Sequence, residues 1–278
     1  MKTALPQRSG PAAKPDLREI NSLRRPWPTL RAVGALMLRE MSTTYGRSAG
    51  GYLWAVLEPV AGIALLVTIF SLALRSPPIG TNFAIFYASG MVPFLFYAHI
   101  GSAIADSIRY SQRLLAYPAV TFVDALVARL ALNTITQLLV AYVVLTGIVL
   151  TMDTRTDPQI SQIALGFAMA TVLAAGVGTL NCFLGTAFPT WNKIWSVLNR
   201  PMFILACILF PFDSVPMPYR DWLWWNPLVH IVGQVRHGFY PSYSGWYVSP
   251  AYVFGFGIIS LTVGILLLAR YHRDLLNS

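Results

Sequence analysis

The chain has 278 residues, of which 55% are hydrophobic and 11% charged, where a soluble domain carries roughly 25% charged residues. That balance excludes an ordinary water-soluble enzyme, and apolar runs of about twenty residues recurring along the chain make lipid the solvent for most of it. The formal net charge of +9 does not indicate nucleic acid, because the basic residues lie between apolar spans and do not surround a soluble core.

Residues 1–26 are polar and basic, with no apolar stretch ahead of a small-residue cleavage site. They are expected to form a cytoplasmic tail, not a signal peptide. In residues 27–50, Leu30, Val33, Leu36, Met37 and Leu38 are interleaved with Arg31, Arg39 and Glu40, which predicts an amphipathic helix in the membrane interface followed by a joint. Gly46-Arg47-Ser48-Ala49-Gly50 has nucleophile-elbow spacing. It follows an amphipathic helix, whereas that chemistry needs a strand-to-helix turn, so it reads as a flexible joint.

Six spans are predicted in an all-α polytopic membrane domain covering residues 51–278: 52–74, 83–105, 122–150, 163–184, 191–212 and 251–269. The fifth is interrupted by Arg200 and Pro201. Sixteen of the 20 lysines and arginines fall on one side of this arrangement, leaving Arg75, Arg155, Arg220 and Arg236 on the other. The positive-inside rule therefore puts both termini in the cytoplasm.

Residues 213–250 form an outer segment with prolines at 216, 218, 227, 241 and 250, yet Trp222 to Val235 is apolar enough to need cover. Two re-entrant half-helices broken at Asn226-Pro227 fit, since non-helical backbone at membrane depth survives only inside protein or beside water. Nine aromatics crowd this segment: Tyr219, Trp222, Trp224, Trp225, Phe239, Tyr240, Tyr243, Trp246 and Tyr247. Two readings of these rings stand side by side, an interfacial belt and a stacking surface for sugars leaving a path.

Glu58 lies inside the first span, where a carboxylate is costly and marks a functional candidate. It either pairs with a basic group such as Arg129 or Arg200 or lines a pathway. Asp124 and Arg129, five residues apart near a helix end, read as a local or interhelical electrostatic fixture. Ala170, Ala174 and Gly178 recur every four residues, which suits close helix approach. Cys182 and Cys207 sit in apolar stretches and imply neither a disulfide nor a metal site. His230 and His237 have no carboxylate or thiol cluster to complete a zinc site. No lysine follows a glycine, so the phosphate-cradling loop of an ATPase is missing. If ATP drives this chain, the motor is another polypeptide, and it would press on the loop 105–123. Candidate coupling residues are Arg109, Tyr110, Gln112, Arg113 and Tyr117, with Arg39 and Arg47 before the first span.

Three separated motifs carry a family resemblance: Gly51-Tyr52-Leu53-Trp54-Ala55-Val56-Leu57-Glu58-Pro59; Arg113-Leu114-Leu115-Ala116-Tyr117-Pro118-Ala119-Val120 continuing to Asp124 and Ala128-Arg129; and Asn226-Pro227-Leu228-Val229-His230 with Arg236. In order and spacing they resemble the membrane subunit of capsular polysaccharide ABC exporters, within the wider ABC-2 permease family. The resemblance runs from about Leu36 to the C-terminus. It implies a non-catalytic permease of the bacterial inner membrane that works as a homodimer with two copies of a separate ATP-binding subunit, on which ATP and Mg are bound. This chain itself would hold no cofactor.

The resemblance further implies a path for lipid-anchored, often acidic polysaccharide at the dimer interface, continued by periplasmic and outer-membrane export proteins. Candidate path residues are Trp54, Glu58, Tyr87, Phe94 and Tyr97 on the first two spans, and Trp222, Trp224, Trp225, Tyr243 and Trp246 outside. The chain departs from the family pattern at Gly233, where an acidic residue is expected, and in its longer tail. O-antigen, teichoic acid, a lipid or a drug would be alternative cargoes on the same fold. An intramembrane enzyme acting on lipid-linked sugars would need convergent carboxylates or histidines, and an ion-driven carrier would need inverted repeats.

Overall fold

The computed structural model describes residues 28–45, 51–115 and 121–277, and among the described residues every regular element is helical. The tail 1–26 and the motif at 46–50 lie outside them. In chain order the helices are α1 (Pro28–Glu40), α2 (Gly51–Ala73), α3 (Phe83–Ala105), α4 (Ser107–Leu115), α5 (Phe122–Thr151), α6 (Ile160–Ala187), α7 (Pro189–Leu205), α8 (Tyr219–Trp224), α9 (Pro227–Phe239) and α10 (Pro250–Asn277). A π turn, Met41–Tyr45, extends α1.

Polar side chains start these helices where the sequence places them. Asn82 caps α3 by accepting from the Ala84 N–H. Thr121 and Asp124 form a reciprocal capping box at the start of α5, which satisfies two orphan donors. Asp124 is therefore a local fixture. At Asn226-Pro227 the asparagine side chain accepts from the Leu228 N–H and the proline occupies the first helical turn, a position that needs no N–H. The expected break is thus a boundary between two short helices.

Among the described residues, five helices are long and apolar enough to cross a membrane: α2, α3, α5, α6 and α10. The stretch expected as a fifth span, 191–212, is not among them. Its helix, α7, has 17 residues and ends at Leu205, and Asn192, Lys193, Asn199 and Arg200 interrupt its apolar character. The chain then turns through Cys207, at φ 58°.

Packing centres on α3 and α6. The first lies against α2, α5, α6 and α9, and the second also against α7 and α10. Ala170 and Ala174 are fully buried, and a Cβ at Gly178 would sit 2.9 Å from the Gly101 carbonyl oxygen of α3. The small-residue spacing does bring helices close. On another side of α6, a Cβ at Gly176 would sit 2.1 Å from the Gly257 carbonyl oxygen of α10. Backbone cannot step aside as a flexible side chain can, so Gly176→Val should force α6 from α10 and cost about 1–3 kcal/mol. A lowered melting midpoint in detergent would register it, while Gly147→Ala, into open space, should leave the midpoint unchanged.

Within the segment between α7 and α10, α9 is a core element, whereas α8 has no buried residue. Every residue from Leu228 to Arg236 is buried, in α9, against α3 and α6. By contrast α7 has no buried residue and α2 very few.

Candidate functional site

The open surfaces of α2 and α7 flank one face of α3. At about 100° per residue, Leu95 and His99 turn toward α2, where His99 Nε2 lies 3.3 Å from Glu58 Oε2. Phe94, Gly101 and Ala105 turn the other way, and Phe94 meets Phe203 of α7 edge-on at 5.6 Å between centroids. Ala98 and Ser102 remain between these two sets, neither of them buried. α3 is thus the floor of an open groove whose walls are α2 and α7.

Glu58 and His99 keep 53% and 37% of their side-chain surface exposed on this open side. The partner of Glu58 is therefore His99 and not Arg129 or Arg200. Arg129 is taken by Glu40, because α1 lies along α5, and Arg200 belongs to α7 on the other wall. Trp54, four residues before Glu58, shares its face and is 68% exposed.

The other candidates on α3 turn inward. Tyr87 is fully buried among Phe70, Phe83 and Phe86, because the outer part of α3 is covered by its neighbours, so it does not reach the open face of this chain. Phe94 is buried behind Phe203. Tyr97 is nearly buried but borders a cleft between α3, α6 and α7.

The aromatics of residues 213–250 divide into two sets. Tyr219, Trp222, Trp225 and Trp246 are exposed, while Tyr240, Tyr243, Tyr247 and Phe239 are buried. Trp224 turns inward: its indole N–H donates to the Tyr247 carbonyl, and its ring stacks on Tyr252 at 5.2 Å. Tyr243 and Tyr247 join hydroxyls at 2.9 Å. His230 Nδ1 accepts from the Ser249 N–H, which leaves Nε2 to donate to the Trp224 carbonyl. That pattern requires the neutral ring, and burial also pushes its pKa below the ordinary histidine range. His230 is structural. A Cβ at Gly233 would lie 2.3 Å from the Tyr247 hydroxyl, so this fold has no room for an acidic residue there.

Arg236 is the largest fully buried side chain. Its Nη1 donates to the carbonyls of Cys207 (2.7 Å) and Phe210 (3.1 Å), and its Nη2 to Ile208 (2.6 Å). The guanidinium also lies over the Phe86 ring at 4.5 Å. One side chain of α9 thus collects the carbonyls that follow α7. Its role was not evident from the chain order, since the partners are 26 to 29 residues away.

At the end of the bundle that carries the basic residues, α4 is amphipathic: Ser107, Ile108 and Ser111 are buried, while Asp106, Arg109 and Gln112 are exposed at three-residue spacing. Arg109 and Asp106 approach to 3.6 Å, a solvent-exposed pair of small energetic value. On the inner side, Arg129 lies over the Tyr110 ring at 4.4 Å and Arg39 at 5.5 Å, and the Tyr110 hydroxyl meets Thr43 of the π turn. Glu40, 4% exposed, accepts from Arg129 Nε at 3.0 Å and from Asn133 at 3.4 Å. Of the expected coupling residues, Arg39 and Tyr110 meet here, while Arg109 and Gln112 lie on the exposed face of α4. Arg47, Tyr117 and the side chain of Arg113 lie outside the described residues.

Glu40, Thr43 and Asn133 were not anticipated, although Arg129 and Asn133 lie four apart on one face of α5, as a shared partner requires. Removing Glu40 would strand a mostly buried guanidinium, at about 3–5 kcal/mol. Glu40→Ala should therefore release α1 from α5, seen as faster proteolysis near Arg39 in membranes. Unchanged proteolysis would show that α1 is held by other contacts. Among the described residues no three metal-ligating side chains converge.

The profile of the ABC-2 type transporter family matches residues 31–240. The chain is similar to the polysialic acid transport protein KpsM of Escherichia coli, with 31% identity over 246 residues covering 88% of this chain and 95% of the relative. It is also similar to the capsule polysaccharide export inner-membrane protein CtrC of Neisseria meningitidis, with 23% identity covering 87% and 92%. A third relative, the capsule polysaccharide export inner-membrane protein BexB of Haemophilus influenzae, shares 21% identity with the same coverage of each chain. With a membrane-capable helical bundle and a family match over most of its length, the chain belongs to the ABC-2 type transporter family.

Proposed function

We propose that this chain is the membrane subunit of an ATP-driven exporter that moves a lipid-anchored, acidic capsule-type polysaccharide across the bacterial inner membrane. It acts as a homodimer with two copies of an ATP-binding subunit, and periplasmic and outer-membrane proteins receive the polymer. The observation that carries this reading is the Glu58–His99 pair, exposed between two membrane-capable helices. At the bilayer centre a charged side chain costs roughly 2.5–3.5 kcal/mol on insertion scales, so this face belongs against water or protein. Two copies facing each other across their open grooves would enclose a conduit there. Basic groups at its mouth would draw in a polyanion.

In this reading the end with α1 and α4 is cytoplasmic, α1 lies in the interface, α7 makes the short fifth of six crossings, and α8 and α9 re-enter from outside. The exposed face of α4 receives the motor's stroke. Tyr110 passes it to α1 and α5 through Arg39, Arg129 and Glu40, so that two packings of the dimer alternate. Deleting the gene in its native host should abolish surface polymer and leave it inside the cell, and the intact chain should restore display. Normal surface polymer in the deletion strain would refute the reading.

A further inference from the structure

The cleft between α3, α6 and α7 touches a path candidate, Tyr97, and the exposed end of α4 at Arg109, while its polar lining from α6 and α7 is separate from the path and coupling residues above. It measures about 380 Å3, within the roughly 300–1,000 Å3 of small-ligand sites. Tyr97 and Ser102 of α3, Asn181 of α6 and Trp195, Ser196 and Asn199 of α7 line it. Asn192, Ser196 and Asn199 fall at i, i+4 and i+7, one face of α7. Amides on a lipid-facing surface would lack partners; these are gathered against two neighbouring helices instead.

The cleft is held in shape by specific contacts. The close α3–α6 approach at Gly178 sets its floor. Asn181 Oδ1 accepts from the Trp191 indole N–H at 2.9 Å, and Asn192 Nδ2 donates to the Gly185 carbonyl at 3.2 Å. The side chains of Ser102 and Asn199 have no hydrogen-bond partner among the described residues. Ser196 Oγ donates to the Lys193 carbonyl at 2.9 Å and keeps only its acceptor side; the Asn199 amide offers a donor beside an acceptor and the Ser102 hydroxyl one of each, which complements vicinal hydroxyls on a ring. The Trp195 ring adds a flat apolar surface for the ring's C–H face. Among the described lining residues the arginine, Arg109, is matched by Asp106, so the lining suits hydroxyls better than an anionic group.

Resting on the permease reading, we propose that this cleft is a saccharide subsite, taking a glycosyl unit of the polymer by its hydroxyls as the polymer enters the groove. Several weak contacts hold the unit without trapping it, as a translocation path requires. The test uses the full chain with its partner subunits, in inverted membrane vesicles from cells that make the polymer and from cells lacking its synthase. Asn199→Cys and, on the opposite face of α7, Val197→Cys are labelled with a polar maleimide; Cys182 and Cys207 are buried and should not react.

Labelling of Asn199→Cys should slow several-fold when polymer is present, with Val197→Cys indifferent to it. In cells, Trp195→Ala should lower surface polymer several-fold at normal membrane abundance, and Trp195→Phe should restore it. Labelling of Asn199→Cys that ignores polymer, in a variant that still exports, would overturn the subsite. So would wild-type export by Trp195→Ala. If the deletion strain displays polymer normally, the permease reading fails instead, and the two failures are distinct.

Discussion

Replacing Arg236 with methionine is expected to leave little folded protein in the membrane. The guanidinium is fully buried and supplies hydrogen bonds to three carbonyls, those of Cys207, Ile208 and Phe210. Methionine fills similar space but orphans all three acceptors, and each unsatisfied buried group costs about 1–3 kcal/mol. The total approaches the 5–15 kcal/mol stability of a typical domain. Lysine keeps the charge but presents a point donor where a planar fork is used, so Arg236→Lys should fail nearly as badly. Immunoblots of membranes and melting midpoints in detergent measure the effect. Wild-type abundance and midpoint in Arg236→Met would show that the turn after α7 is held in some other way.

Charge reversal at Arg109 should act in the opposite manner, sparing the fold and removing the activity. Its side chain is exposed and its contact with Asp106 at 3.6 Å contributes little to stability. Arg109→Glu should therefore insert normally. If α4 docks into an ATP-binding subunit, reversing a charge in that contact costs about 2–5 kcal/mol. Surface polymer should then fall more than tenfold, and the co-purified ATP-binding subunit with it. Normal surface polymer at normal abundance would remove α4 from the coupling route.

The elements set by local chemistry were legible before any coordinates. Asn226-Pro227 marks the boundary between α8 and α9 because an asparagine cap and a proline in the first turn act on their own neighbours. Likewise Ala170, Ala174 and Gly178 announce a close helix contact because only small side chains permit one. The end of α7 was only half legible. The apolar run continues to Phe212, where Pro211 cannot donate to the Cys207 carbonyl, but nothing local signals that Arg236 from α9 takes this carbonyl and the one beside it.

The partner of Glu58 was hidden for the same reason. A carboxylate in a span advertises its need for company, yet His99 rather than an arginine answers it because of how α2 lies on α3. Tyr87 was a path candidate as an aromatic of the second span, and its neighbours bury it. The cluster of Arg39, Tyr110 and Arg129 was half visible, since the residues were evident and the buried Glu40 that joins them was not.

If this chain is the passive half of an ATP-driven pump, it should travel with its motor. Gentle purification of the tagged chain in detergent from polymer-making cells should yield an equimolar second polypeptide with a phosphate-cradling loop and ATP hydrolysis by the complex, both lost in Arg109→Glu. A chain that purifies without any such protein, from membranes whose export depends on it, would rule out that role.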